Sequence, residues 1–105
     1  MVTEETLHEI VDKIVEAAHP RAVILFGSHA RGEAGQDSDL DLMVVAESDK
    51  PRIERYGLVR RLFRGMGIGM DILVYTPEEF AQFQSVPGSL TYTVVHEGRV
   101  LYGRV

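Results

Sequence analysis

Three aspartates lie in or beside short apolar runs, and their placement constrains the fold more than any other feature of the chain. Asp39 and Asp41 flank Leu40 where one such run begins, and Asp71 lies in the later run of residues 68–75. An ionised carboxylate in an apolar strand needs a partner or a metal ion. Asp39 and Asp41 are two apart, so on a strand both would leave the same face. If the strand of Asp71 pairs beside them, its carboxylate can join that face.

Carboxylates spaced in this way can bridge two divalent cations roughly 4 Å apart, as in two-metal phosphoryl transfer. The sequence therefore predicts that Asp39, Asp41 and Asp71 share a metal site. Without metal, repulsion among them should raise at least one pKa. For the Asp-x-Asp pair alone, a strand that simply opens at its solvated end is an equal alternative.

A Gly-Ser pair, Gly27-Ser28, follows the apolar run of residues 22–26, and ten residues separate it from Asp39. Glycine permits a tight turn, while the serine hydroxyl and nearby N–H groups can hold phosphate oxygens. Arg31 could neutralise phosphate or could be a solvated loop residue. Asp37 is more simply a solvated loop residue. The stretch is neither a Walker loop nor a Gly-x-Gly-x-x-Gly motif.

Apolar periodicity predicts an α/β fold, with a small mixed sheet packed against helices. The first helix is predicted from the Thr3 cap to residue 18, and the second at 50–65, with Ile53 among its apolar positions. A third helix follows Thr76, where Pro77 and Glu79 indicate a capping box, and Phe80 and Phe83 are expected to pin it.

Strands are predicted at 22–26, at 39–45 by a period of two, at 68–75 and at 99–102, with Gly65, Gly67 and Gly69 loosening the chain before the third. Residues 89–96 suit a strand by their β-branched content, yet the i, i+4 spacing of Leu90 and Val94 favours a helix. The expected order is α-β-β-α-β-α-α-β.

The 105 residues predict one domain spanning positions 1–105. A core this small leaves room for association with a partner or a second copy. The net charge of −5 argues against a broad electrostatic grip on nucleic acid. No run approaches the roughly 20 apolar residues that cross a bilayer, and cysteine is absent, so we expect a cytoplasmic protein without membrane contact.

The chain resembles the minimal nucleotidyltransferase (MNT) family of the DNA polymerase β-like nucleotidyltransferase superfamily. The resemblance rests on Gly27-Ser28, on Asp39-x-Asp41 ten residues later, and on a third carboxylate at Asp71. It implies the polymerase β-like fold and a Mg²⁺-dependent transfer, with two ions held by the three aspartates. It further implies ATP as donor, with its triphosphate along Gly27, Ser28 and Arg31, and a role for Asp71 in deprotonating the acceptor.

Family members of this size resemble MntA-like antitoxins of HEPN/MNT toxin–antitoxin systems. The resemblance therefore implies a HEPN-domain toxin as partner and adenylylation (AMPylation) of a tyrosine on it. Two alternatives stay open: an antitoxin that neutralises its partner by binding alone, and a small-molecule nucleotidyltransferase. Five arginines between residues 52 and 64 read as a solvated helix face or as a contact with an acidic partner.

Overall fold

The computed structural model describes residues 2–35 and 38–104, and within them the predicted order of elements is confirmed. The helices are α1 (Glu4–Ala18), α2 (Arg52–Arg60), α3 (Pro77–Phe83) and α4 (Leu90–Glu97), and a 3-10 turn, Arg61–Phe63, continues α2. The strands are β1 (Ala22–Phe26), β2 (Leu40–Val45), β3 (Met70–Tyr75) and β4 (Arg99–Gly103). No helix in this described part is long and apolar enough to cross a membrane.

The four strands of the described residues form one mixed sheet in the order β3-β2-β1-β4. β1 runs antiparallel to both β2 and β4, whereas β2 and β3 are parallel. The parallel pair is possible because α2 and the turn after it carry the chain back to the start of the sheet. As a result, the end of β1 and the beginnings of β2 and β3 lie at the same end of the sheet.

Helices cover both faces of the sheet, and the side chains of β1, β2 and β3 alternate between two apolar clusters. Leu42 and Val44 pack under α1 and α2, whereas Met43 and Val45 pack with Phe80 of α3 and a residue of α4. This alternation is the period-two pattern that the sequence predicted for β2. The fold is therefore α/β, a small mixed sheet packed against helices, as predicted.

The segment of residues 89–96, which suited either a strand or a helix, forms the helix α4. The Ser89 side chain accepts a hydrogen bond from the backbone N–H of Tyr92, which caps α4 at its first turn. Thr91 and Val94, three positions apart, are the buried residues of α4. Burial of one helical face therefore outweighs the β-branched content.

Two details of the helix predictions are wrong. Arg55 is buried rather than part of a solvated arginine face, and its guanidinium donates to the backbone oxygens of Lys50 and Val74 and to Glu79 Oε1. Phe83 was expected to pin α3 beside Phe80, but it stays 37% exposed. In α3 itself, Thr76 and Glu79 form the predicted capping box.

Candidate active site

The candidate site begins where β1 ends. Gly27 has φ 73°, a left-handed conformation that favours glycine, and it turns the chain away from the sheet. A compact turn follows, in which the N–H of Arg31 donates to Gly27 O at 3.2 Å and that of Glu33 to Ser28 O at 2.9 Å. Residues 28–32 form this turn without becoming a helix. Any anion site here depends on the turn itself rather than on a helix dipole.

Asp41 and Asp71 occupy paired positions in the parallel ladder of β2 and β3, so their side chains leave the same face of the sheet. Asp41 is also paired with Phe26, the last residue of β1, which places it directly beside the Gly27 turn. Asp71 is exposed to solvent, whereas Asp41 is half-buried. The sheet register thus brings two of the predicted carboxylates together next to the predicted phosphate turn.

The carboxylate of Asp41 lies where a side chain at Gly27 would otherwise be. A Cβ atom at Gly27 would overlap Oδ2 of Asp41 and come within 3.1 Å of its Cγ. Burial raises the pKa of Asp41, and the negative charges of Asp71 and Asp39 raise it further, against smaller opposing effects of His29 and Arg31. A raised pKa is the expected result for carboxylates grouped without a cation.

Asp39 stands one residue before β2, so it is not within the strand itself, and it is exposed. Its carboxylate lies against Gly69, the residue before β3: a Cβ atom there would overlap Oδ1 of Asp39 and lie 3.2 Å from its Cγ. The first cross-strand bond, from Leu40 N–H to Gly69 O at 2.9 Å, holds the two segments together. The premise of buried aspartates was wrong for Asp39 and Asp71, because both lie at the solvated beginning of their strands.

The donor set fits a hard divalent cation such as Mg²⁺. Carboxylate oxygens are the protein ligands that Mg²⁺ prefers, and a cation would offset the repulsion that raises the pKa of Asp41. In residues 2–35 and 38–104, no three His, Asp or Glu side chains already form a cluster that could hold a metal ion. The three aspartates therefore influence one another without being a preassembled ligand set, and metal binding stays a prediction.

The other predicted residues have mixed placements. Arg31 lies in the turn after β1, and its Nε pairs with Glu33 Oε2 at 3.3 Å on the surface. Exposed pairs of this kind contribute only about 0–1 kcal/mol, so phosphate could displace Glu33. Ser28 lies half-buried in the same turn. Asp37 falls outside the described residues.

Sequence reasoning missed two residues at the site. His29, which it left unassigned, places Nε2 3.1 Å from the backbone oxygen of Ser38, immediately before Asp39. Gly69 was taken only as one of three glycines that loosen the chain, yet it alone among them faces a carboxylate. The contact of Gly69 depends on the pairing of the segments before β2 and β3, and that of His29 on the position of the turn after β1 beside the segment before β2.

The mixed sheet, the glycine turn after β1, and the carboxylates on β2 and β3 match the arrangement expected of a nucleotidyltransferase domain. Comparison with known families agrees: the model of the family described as "Polymerase beta, Nucleotidyltransferase" matches residues 8–105. The chain belongs to this family and is a nucleotidyltransferase.

A relative from Methanocaldococcus jannaschii, named "putative protein adenylyltransferase", is 31% identical over 104 residues, which cover 97% of this chain and 100% of that protein. Among solved structures, a toxin–antitoxin with AMP-PNP has a TM-score of 0.69 at 23% identity, over 92% of this chain and 73% of the other. A second structure, of a tri-AMPylated Shewanella oneidensis HEPN toxin in complex with an MNT antitoxin, has a TM-score of 0.53 at 20% identity. The match covers 92% of this chain and 72% of the matched chain. The structural likenesses support the fold.

Proposed function

We propose that this nucleotidyltransferase transfers AMP from ATP to a tyrosine hydroxyl of a HEPN-domain toxin, and that it acts as the antitoxin of that partner. The observation that carries the proposal is the pairing of Asp41 with Asp71 beside the Gly27 turn. The adenylyltransferase name of the M. jannaschii relative and the AMPylated HEPN toxin in one neighbouring structure support the donor and the partner.

The proposed metal ligands are the three aspartates at the beginnings of β2 and β3. Asp39 and Asp41 would hold Mg²⁺ against the triphosphate, with Asp71 contributing to a second ion. When bound, Mg²⁺ supplies positive charge that neutralises the phosphate oxygens. The Ser28 hydroxyl and the backbone of the turn would hold those oxygens in place, and Arg31 would add a further positive charge. These groups would orient the α-phosphate toward the exposed side chain of Asp71.

Asp71 would accept the proton of the acceptor hydroxyl. A phenol has an ordinary pKa near 10, so it needs a base at neutral pH. The phenolic oxygen forms a new bond to the α-phosphorus, the bond from that phosphorus to the bridging oxygen breaks, and pyrophosphate leaves. The phenolic proton goes to a carboxylate oxygen of Asp71. The exposure of Asp71 leaves it accessible to a residue presented by another protein.

The surroundings of Asp41 favour an active enzyme over an antitoxin that neutralises its partner by binding alone. Its carboxylate is half-buried and repelled by two neighbours, and both effects raise its pKa. An asparagine would avoid that cost, so a chain that had lost catalysis would have no reason to keep the charge.

Co-expression with a candidate HEPN-domain partner tests the proposal. Mass spectrometry of the partner should show one or more added AMP groups on tyrosine, absent when Asp39→Asn replaces the wild type. An unmodified partner that Asp39→Asn still neutralises would instead establish the binding-only antitoxin. Label from ATP appearing on an aminoglycoside, with none on protein, would establish the small-molecule enzyme.

A further inference from the structure

We propose that Gly69 and His29 are positioning residues that fix where the carboxylate of Asp39 stands. The inference rests on the proposed function, in which Asp39 is a metal ligand. Asp39 needs such help more than Asp41 does, because it precedes β2 and is exposed. An exposed carboxylate outside the strand ladder samples several rotamers unless its surroundings restrict it.

Gly69 acts by the space that it leaves. Its backbone oxygen accepts from Leu40 N–H at 2.9 Å, so the two strand beginnings are in register at this point. The Asp39 carboxylate occupies the volume in which any other residue at position 69 would place its Cβ. The φ of Gly69 lies outside the left-handed region, unlike those of Gly65 and Gly67. The backbone at position 69 therefore tolerates alanine, and the requirement for glycine comes from Asp39.

His29 acts on the main chain that carries Asp39. Its Nε2 lies 3.1 Å from the Ser38 oxygen, and because a carbonyl oxygen only accepts, Nε2 must carry the proton. This bond spans from the turn after β1 to the residue before Asp39, and it is partly buried. It therefore ties the predicted phosphate turn to the predicted metal ligand. Gly69 leaves room for the Asp39 side chain at the beginning of β3, while His29 holds the backbone before Asp39 from the turn after β1.

Both restraints bear on chemistry because metal ligands need defined positions. Partners that orient a ligand without touching the metal typically account for about 10–100-fold in metal affinity or activity. Gly69→Ala forces the carboxylate of Asp39 to move while leaving the strand pairing intact. His29→Ala releases the Ser38 carbonyl.

The test of Gly69 compares Gly69→Ala with Gly57→Ala, a matched change in α2 where an added Cβ meets no atom within 4 Å. Melting temperature is measured in EDTA and then during a Mn²⁺ titration with AMP-PNP present, and AMP transfer is measured separately. We expect Gly69→Ala to melt near the wild type in EDTA but to need about tenfold more Mn²⁺ for half-maximal stabilisation. Its kcat should fall more than its KM for ATP rises. Gly57→Ala should keep wild-type metal dependence and activity.

The test of His29 compares alanine with glutamine, whose amide nitrogen can replace Nε2 as donor to Ser38 O. His29→Ala should raise the Mn²⁺ requirement, and His29→Gln should restore most of it. Wild-type Mn²⁺ dependence in Gly69→Ala would overturn the role of Gly69, and equal behaviour of the two His29 variants would overturn that of His29. A wild-type protein that transfers no AMP would refute the proposed function, while the Mn²⁺ titration would still decide the positioning roles.

Discussion

Replacing Glu79 by glutamine should destabilise the protein strongly and in a pH-dependent way. Partial burial tends to raise the pKa of Glu79. Hydrogen bonds from Arg55, from the backbone of Thr76 and from Arg52, together with the charge of Arg55, outweigh the effect of burial. As a result, the pKa of Glu79 falls from an ordinary 4.5 to about 2. The shortest contacts are Arg55 Nη1 to Oε1 at 2.7 Å and Thr76 N–H to Oε1 at 2.8 Å. The carboxylate thus joins α2 to the start of α3.

The magnitude follows from the lowered pKa. Each unit of pKa difference between folded and unfolded states corresponds to about 1.4 kcal/mol, so the drop from 4.5 to about 2 sets an upper limit near 3 kcal/mol. The side chain of Glu79 is 24% exposed, and solvent screening reduces the expected value to about 2 kcal/mol. Because the pKa is lowered on folding, this stability is present above pH 4.5 and is lost as the pH falls toward 2.

Urea unfolding of the wild type and Glu79→Gln between pH 7 and pH 2.5 measures the effect. At pH 7 the variant should be less stable by about 2 kcal/mol, or about 8–16 °C in melting temperature for a domain of this size. The difference should shrink below pH 4.5. Glu78→Gln, on the exposed neighbouring residue, is the control and should stay close to the wild type. A deficit of equal size at pH 7 and pH 3 would refute the reasoning.

The remaining predictions concern the site. Asp41→Asn should lower AMP transfer at least about 10³-fold, and full activity would exclude Asp41 as a metal ligand. The same change should raise the melting temperature in EDTA, because it removes a half-buried charge that is repelled by its neighbours. Ser28→Ala should raise the KM for ATP with a smaller loss of rate than Asp41→Asn, since backbone groups of the turn remain, and steady-state kinetics decides this. Glu33→Gln frees Arg31 from its exposed ion pair and should lower the KM for ATP by at most about fivefold; an increase would show that Arg31 does not meet the nucleotide.

The order of elements could be predicted because it depends on local periodicity, whereas the position of Asp71 beside Asp41 was predicted only on the condition that their strands pair. Asp39 and Asp41 are two apart, and the parallel pairing of β2 with β3 places Asp71 opposite Asp41. Proline and a Thr cap marked the start of α3. These signals lie within a few residues of the elements they define.

Features that join distant segments could not be predicted in this way. The burial of Arg55 depends on Val74 and Glu79, 19 and 24 positions further along the chain. Ile53 looked like a core residue of α2 but is 81% exposed, since helical period alone does not say which face meets the sheet. The contacts of Gly69 and His29 with the segment of Asp39 likewise exist only once the strands are paired.

The ionised carboxylates of Glu79 and Asp41 have opposite effects on the stability of the fold. Glu79 lies between cations, and its pKa is lowered to about 2, so its ionised form stabilises the fold. Burial and two neighbouring carboxylates raise the pKa of Asp41, so its ionised form opposes folding. A group that destabilises the folded chain is retained only where something outside the chain compensates it. Under the proposed function, a divalent cation and the nucleotide bound with it would compensate Asp41. Ligand binding should therefore raise the melting temperature of the wild type more than that of Asp41→Asn.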